Sequence, residues 1–469
     1  LHQPTRREIL PVAGNHFYLG RQIYRGDLLY RDIFIDKPPL TEYIIAAAFL
    51  AAGGELIPAV IITRLIFFAF YLASALPLYL IARRVLGSRF RSRLAVLVYL
   101  GFGFPYDKLA VSADWHVLMV FFGLTAVAVY LAGRPLVSGL CAALSFLSWQ
   151  PGLTFPIALL AGSLLFPRSG RDSRRLAVGF LIPVAAVIIY TGFRGNLADF
   201  FQQTVLYGRI NVSSEFFWGL RVVPRVVRKL YWRSLPFILL GTAGYLLNWL
   251  RVARSGRREF EKTFFPLVLL SLLILISAAN FQGGRDMIPL LPWISLYVLY
   301  PAGRLEAKMN PRAFQTLAAA AIVGLAAWSL AGTIRLRPPW MNLERQELQM
   351  LKLAERYHLG ADDQILCLES VLPCLFLDRT NLTRHTYYLQ EKHYRFIETY
   401  EPGGFDSVLE AVRGQKPALV FVHLAPWSAP DWPAGRFQPL RNLLAEEGYR
   451  SETAGRALIY HRGDGNLDR

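Results

Sequence analysis

Long apolar runs separated by short polar turns dominate the first two thirds of the chain. A helix that crosses a bilayer needs about 20 mostly apolar residues, so this pattern predicts membrane spans rather than a soluble bundle. The runs place spans near residues 59–82, 94–112, 114–132, 135–150, 152–166, 176–193, 235–250, 263–279, 288–303 and 313–334. Residues 40–53 are also apolar, but a stretch of only about 14 residues predicts a juxtamembrane or re-entrant helix. Beyond residue 334 the pattern changes. Residues 343–358 have helical periodicity, 364–369 and 417–423 read as buried strands, 435–448 as a helix and 457–461 as a final strand. The predicted architecture is a polytopic all-α membrane domain of about ten spans over 1–334, with 1–58 as an outer loop and juxtamembrane helix. A small α/β soluble domain over 335–469 follows it. There is no internal repeat and no low-complexity tract.

Composition narrows the class. Of 469 residues, 54% are hydrophobic and 18% charged, against about 25% charged in soluble chains. Disorder, collagen, coiled coil and a small disulfide scaffold are excluded. The net charge of +18 is unevenly spread: residues 335–469 hold 17 basic against 18 acidic residues, and residues 1–334 hold 34 against 15. The basic excess thus belongs to the apolar part, where basic loops orient spans and meet anionic headgroups, and it excludes nucleic acid as the partner. Arg83, Arg84, Arg89, Arg91 and Arg93 crowd one loop, and Arg168, Arg171, Arg174 and Arg175 a second. Arg251, Arg254, Arg257, Arg258 and Lys262 form a third, and Arg304, Lys308 and Arg312 a fourth. The predicted spans put all four on one side, which is then cytoplasmic. The other side receives 1–58, the turn before Asp114, 194–234, 280–287 and the tail. A full crossing at 40–53 would move the first basic loop outside, which supports the juxtamembrane reading. Within 194–234, Arg221, Arg225, Arg228, Lys229 and Arg233 suggest an interfacial amphipathic helix. Such a helix either anchors to headgroups or forms a basic cuff around an anionic lipid substrate.

Three cysteines are too few for a disulfide framework. Cys141 reads as a small core residue, while Cys367 and Cys374 either pair outside the cytoplasm or stay free. No zinc-type spacing, nucleotide fingerprint or nucleophile elbow occurs. The sequence opens on Leu1 without a signal peptide, so either a mis-assigned start or a missing upstream segment is expected.

Ionisable residues at membrane depth are costly, and the outer side collects several. Asp36 and Lys37 precede Pro38 and Pro39, which stiffen the chain and force the preceding residue into an extended conformation. They form either a fixed functional pair or a salt-bridged turn leading into the helix. Asp114 opens a span, as a helix cap, a reactive carboxylate, or both. Arg285 and Asp286 occupy a short turn before another span. An arginine fork suits phosphate oxygens, and the alternative is a snorkelling interfacial pair. His16 is a candidate base or metal ligand, with a plain structural histidine as the alternative. Glu42 and Glu55 read as surface carboxylates. Asn211-Val212-Ser213 and Asn381-Leu382-Thr383 match the glycosylation sequon, a short pattern that is common by chance.

Taken in order, Arg21-Gln22-Ile23, Tyr30-Arg31-Asp32 and Asp36-Lys37-Pro38-Pro39-Leu40 resemble the first outer loop of GT-C glycosyltransferases. The relatives concerned are family 39, with protein O-mannosyltransferases, aminoarabinose transferases of lipid A and Rgt-type lipopolysaccharide core transferases. Arg64, Ala82-Arg83-Arg84-Val85-Leu86-Gly87, Asp114 and the stretch from Gly284 to Pro292 follow in the matching order, so that the resemblance covers most of 12–303. It implies transfer of a hexose or pentose from a polyprenyl phosphate to a glycan, lipid or protein hydroxyl on the outer face of the plasma or inner membrane. No nucleotide cofactor is then expected, and metal dependence stays open. Asp114 and Asp36 become the catalytic carboxylates, and Lys37, Arg21, Arg285 and His16 the substrate-binding residues. Charge develops at the anomeric carbon as in glycoside hydrolysis. The chain departs from the family where Asp-Glu is usual, nine residues before the arginine: counting back from Arg21 reaches Val12-Ala13. Trp149-Gln150-Pro151 stands where a lysine is frequent, Asp286 where His is frequent, and the first span is missing. These departures imply as the alternative an impaired or truncated relative that binds or transports a lipid-linked sugar. The Trp-Trp-Asp motif of oligosaccharyltransferases does not occur.

Overall fold

A computed structural model describes residues 8–9, 11–109, 112–166, 171–210, 218–255, 257–279, 283–306, 308–335, 343–386, 391–423, 434–454 and 457–462. Two helices, α1 (Pro11–Arg25) and α2 (Leu40–Ala51), precede the bundle. Then come α3 (Leu56–Ala73), α4 (Ala75–Leu86), α5 (Arg89–Leu100), α6 (Gly103–Leu109), α7 (Trp115–Leu131), α8 (Pro135–Ser148), α9 (Thr154–Leu165) and α10 (Asp172–Phe193). An interrupted helix, α11 (Leu197–Phe201) and α12 (Tyr207–Ile210), leads to α13 (Trp218–Leu230). The bundle closes with α14 (Leu235–Ser255), α15 (Arg257–Ala279), α16 (Leu291–Val298), α17 (Ala302–Glu306) and α18 (Pro311–Arg335).

Among the described residues, five helical stretches are long and apolar enough to cross a membrane: Leu56–Leu86, Asp172–Phe193, Trp232–Arg254, Phe260–Ala279 and Pro311–Ala331. Leu181, Ile182, Ile189, Leu239, Leu240, Leu246, Leu317 and Val323 are exposed on three of them, an apolar surface suited to lipid. The other expected spans are shorter: α7, α8 and α9 have 17, 14 and 12 residues and lie mostly buried inside the bundle. Residues 94–112 are not one helix. α5 stops at Gly101, where an added Cβ would lie 2.7 Å from the Ala326 Cβ of the crossing α18, and α6 starts two residues later. Residues 288–303 are also divided. Pro289 and Pro292 deny backbone donors, so a 3₁₀ turn over Gly284–Leu290 precedes the short, buried α16.

Small residues set a close crossing between α8 and α10. A Cβ on Gly139 of α8 would meet the Leu176 carbonyl at 2.2 Å, and one on Gly179 of α10 the Leu136 carbonyl at 2.1 Å. The backbones touch there, as in small-residue packing of membrane helices. Within α13, Val222, Val223, Val226 and Val227 pack on the core, while Arg225, Arg228 and Lys229 face outward. The helix is therefore amphipathic, with its apolar side against protein. At one end of the bundle Arg91 of α5 pairs with Glu306 of α17 at 3.2 Å, joining two of the basic loops.

The tail carries α19 (Leu343–Arg356), β1 (Ile365–Leu368), α20 (Leu372–Phe376), α21 (Glu391–Tyr400), α22 (Asp406–Gln415), β2 (Leu419–His423), α23 (Ala434–Glu446), β3 (Tyr449–Ala454) and β4 (Ala457–Arg462). The strand order is β1-β2-β4-β3; β1 and β2 are parallel, and β4 is antiparallel to both β2 and β3. Alternation divides the strands between two cores. Ile365, Cys367, Leu419, Phe421 and Ile459 belong to the same core as α1 and the bundle, whereas Leu366, Leu368, Val420, Val422 and Tyr460 pack with Val408, Val412, Leu440 and Leu444. Both faces are covered, so these strands read as continuous apolar runs. β3 escapes the sequence pattern because it is a mostly polar edge strand, Tyr-Arg-Ser-Glu-Thr-Ala. Cys367 and Cys374 are both buried and free, with sulfurs 2.8 Å apart. Asn381 is not a free sequon amide: its Nδ2 donates to the Thr383 and His385 carbonyls and its Oδ1 accepts from Cys367 N. The other sequon, at Asn211, lies outside the described residues.

A charged and aromatic seam joins the tail to the bundle. Arg384 donates to the carbonyls of Tyr30 and Arg31 and pairs with Asp199 at 3.1 Å and with Glu401. His393 packs its ring 4.5 Å from Phe34 and lies 3.2 Å from the Tyr207 hydroxyl. Burial, then the neighbouring His385, holds the His393 imidazole well below its ordinary value, and burial also lowers His385 despite Glu401. Both rings are thus neutral when folded and protonate more readily when unfolded. Their contribution is present above an unfolded pKa of about 6.5 and is lost as pH falls through the folded values. Protease sensitivity of 391–415 should therefore rise below about pH 6.5, and His393→Phe should blunt that rise. A cleavage profile unaffected by pH in both forms would refute it. A second expectation concerns the Gly139–Gly179 crossing. Gly179→Val should force α8 and α10 apart and lower the melting temperature of detergent-purified protein, by an overpacking cost of roughly 1–3 kcal/mol or more.

Candidate active site

The site begins with a cap. Asp114 is extended, at φ −134 and ψ 109, and its side chain accepts from the His116 backbone N–H to start α7. The same oxygen lies 2.5 Å from His116 Nδ1, while Oδ2 faces Arg285 Nε at 3.7 Å. His116 Nε2 reaches Asp286 Oδ1 at 3.2 Å, and Asp286 Oδ2 accepts from Gly283 N at 3.0 Å. The imidazole thus bridges two carboxylates from different segments, with its ring 4.1 Å from that of Trp149. Capping and charge pairing coexist at Asp114, which has no exposure.

Trp115, the next residue, is the common neighbour of the cluster. Lys37 Nζ stands 5.7 Å and the Arg285 guanidinium 5.9 Å from its ring centroid, both within cation–π range. The His16 ring meets it edge-on at 4.6 Å. Lys37 pairs with Asp36 at 2.6 Å. Each cation is therefore backed by one carboxylate, Lys37 by Asp36 and Arg285 by Asp114.

The loop carrying Asp36 and Lys37 is held from several sides. Gln203 donates to the Tyr30 carbonyl and accepts from Ile35 N, Asn196 donates to the Leu29 carbonyl, and Gln150 donates to the Asp36 carbonyl. The Tyr30 hydroxyl donates to the Lys37 carbonyl at 2.9 Å. Tyr30 itself has φ +74, a left-handed conformation that is strained for a bulky residue and is sustained only by such surroundings.

Five of the six sequence candidates converge: Asp36, Lys37, His16, Asp114 and Arg285. Arg21 does not. Its guanidinium donates to the Leu375 carbonyl at 2.7 Å and pairs with Asp378 at 2.6 Å, because α1 turns that residue toward the tail. Arg21 thus lies apart from the other five, against the tail. Glu42, expected at the surface, is fully buried against His16. Sequence reasoning also missed His116, Trp115 and Trp149 as members of the site. It missed Lys392 of the tail, whose ammonium is lowered by burial and then by the Lys37 charge. A local signal existed only for His116, two residues after its cap. Among the described residues, Asp114 Oδ2, Trp115 Nε1 and Glu42 Oε2 are buried without a hydrogen-bond partner, and an unsatisfied buried polar atom costs about 1–3 kcal/mol. Among the described residues, no three His, Cys, Asp or Glu side chains are placed to hold a metal ion.

No family model matches the sequence. The dolichol phosphate-mannose mannosyltransferase of Haloferax volcanii is 23% identical over 319 residues, which are 67% of this chain and 66%, just under two thirds, of that protein. ArnT from Cupriavidus metallidurans bound to undecaprenyl phosphate superposes with a TM-score of 0.62 at 14% identity, covering 98% of this chain and 95% of the other. Its apo form gives 0.63 at 13%, covering 97% and 94%. The Archaeoglobus fulgidus oligosaccharyltransferase in complex with Zn and sulfate gives 0.53 at 14%, covering 96% and 69%. The chain therefore has the GT-C fold, and with five long apolar helices among its described residues it is an integral membrane protein.

The two roles of Asp114 are separable. Asp114→Ala should lose roughly 1–2 kcal/mol from the missing cap alone. Asp114→Asn keeps a capping oxygen and should lose less. Thermal melts of the two proteins in one detergent check this, and equal losses would mean that the charge, not the cap, supports the fold.

Proposed function

We propose that this protein is a membrane glycosyltransferase that moves a hexose or pentose from a polyprenyl phosphate to an acceptor hydroxyl. The observation that carries the reading is the pair of cations, Lys37 and Arg285, gathered around Trp115 and each backed by a carboxylate. The undecaprenyl phosphate bound to ArnT and the mannosyltransferase from Haloferax volcanii support the donor class. The basic loops support a cytoplasmic face at the opposite end of the bundle, and so a non-cytoplasmic site. In this arrangement 1–334 forms the transferase domain, and 335–469 a domain on the same outer side that closes over the loop at residues 28–39.

In the reaction the bond between anomeric carbon and phosphate oxygen breaks while the acceptor oxygen attacks. Negative charge accumulates on the leaving phosphate, where Lys37 and Arg285 are held in place before the reaction begins. Such fixed charge needs no reorganisation and is worth most away from bulk water. Positive charge accumulates at the anomeric carbon. Asp36 and Asp114 are the catalytic carboxylates, orienting the cations and offsetting that charge. A glycan, a lipid or a protein hydroxyl serves as acceptor.

One observation favours a second reading. Val12-Ala13 occupies the position of the acidic pair usual in the family that the first loop resembles, which fits a relative that binds or transports a lipid-linked sugar. Purified protein given radiolabelled polyprenyl-phosphate mannose, and a pentose counterpart, should release polyprenyl phosphate. Lys37→Met and Arg285→Leu should each lose roughly 10²–10³-fold in kcat, and Asp36→Asn and Asp114→Asn roughly two decades. Donor binding without release would favour the second reading, and absence of binding would overturn both.

A further inference from the structure

We propose that His16, held by the Glu42 carboxylate, is the base that takes the proton from the acceptor hydroxyl. This rests on the transferase reading above and supplies the group that reading leaves unassigned.

Two helices bring the pair together. Gly20, one turn beyond His16 on α1, allows close contact with α2, since a Cβ there would lie 2.4 Å from Ile45 Cγ2. Ile45 is one turn beyond Glu42, so His16 and Glu42 face each other across the same contact. His16 Nδ1 and Glu42 Oε1 are 2.6 Å apart, with Glu42 fully buried and His16 nearly so. A carboxylate at Nδ1 fixes the ring with its proton there and leaves the Nε2 lone pair as the acceptor. Among the described residues, the hydrogen-bond partner of the His16 ring is Glu42, at Nδ1. Glu42 Oε2 is, among the described residues, buried without a hydrogen-bond partner.

The other carboxylates of the site are engaged with cations or rings. Asp36 pairs with Lys37, Asp114 with His116 and Arg285, and Asp286 with His116 and the Gly283 amide. His16 touches the indole that carries both cations, so base and leaving-group cations share one neighbour. The proton of the acceptor O–H passes to His16 Nε2 as the oxygen bonds to the anomeric carbon. The carbon–oxygen bond to phosphate breaks, and its electron pair stays on the phosphate oxygen beside Lys37 and Arg285. The imidazolium then returns its proton to the released phosphate or to water.

Glu42 on α2 pairs with His16, Tyr30 lies near Glu42, and Lys37, paired with Asp36, stands over the Trp115 ring that His16 meets. Across Trp115 lie Arg285, Asp114 and His116. The test uses the full-length protein and polyprenyl-phosphate mannose, following both donor binding and release of polyprenyl phosphate. His16→Gln should lower kcat by roughly 10²–10⁴-fold, with KM for the donor within about threefold of wild type. Free imidazole should restore part of the activity of His16→Ala. Glu42→Gln, which keeps the shape of the buried side chain but no longer fixes the ring as a carboxylate does, should lower kcat by less than His16→Gln, again with KM for the donor within about threefold of wild type. Loss of activity without imidazole rescue, or with KM for the donor rising in step, would assign the pair a structural role and overturn the proposal. Turnover by His16→Gln at nearly the wild-type rate would overturn it while leaving the transferase reading intact. A wild-type protein that neither binds nor consumes donor would overturn both.

Discussion

A carboxylate with no access to water must be paired, and Asp114 is the point on which this architecture turns. Its carboxylate starts α7, engages the ring two residues on and faces an arginine from a turn 171 residues away. Removing one partner of such a buried set leaves an uncompensated charge, a cost of several kcal/mol. The turn at Gly283–Asp286 is therefore bound to the start of α7 and cannot drift without exposing that cost. His116 extends the constraint by joining Asp114 to Asp286.

The same logic governs the loop at residues 28–39. It has little regular structure of its own, and its carbonyls are met by side chains from distant segments: Asn196, Gln203, Gln150 and Arg384. The strained Tyr30 backbone persists because these partners over-determine it. The tail joins in through Arg384 and the aromatic packing of Phe34 against Phe396 and His393. One face of the tail's sheet also belongs to the core shared with α1. Loop, bundle and tail thus form one continuous packed body, with the polar cluster at their junction.

Legibility in the sequence followed range. The helix at Leu343–Arg356 and the strands at Ile365–Leu368, Leu419–His423 and Ala457–Arg462 all carry local patterns, and all are present. The segments near 94–112 and 288–303 have the composition of spans, yet Gly101 beneath α18 and Pro289 with Pro292 divide them. Asp36, Lys37, Asp114 and Arg285 stood out because charge beside an apolar run is conspicuous. Arg21 stood out equally and went elsewhere, since which way a helix presents its arginine is decided by what packs on it. Glu42 was dismissed for the converse reason: a single glutamate near the start of an apolar helix reads as solvated unless its partner, 26 residues upstream, is known.

By itself the sequence determined the class of object. Runs long enough to span a bilayer, basic loops placed between them, and a charge-balanced tail with strand periodicity are properties of neighbouring residues and survive without any fold. Tertiary structure alone decided which charges meet. Lys37, Arg285 and His16 come from three segments and meet at the indole of Trp115, an arrangement that no local period encodes. It exists because a charge brought to the edge of an apolar bundle is stable only against an opposite charge or a hydrogen-bond partner, and the packing of the helices determines which distant residue that partner is.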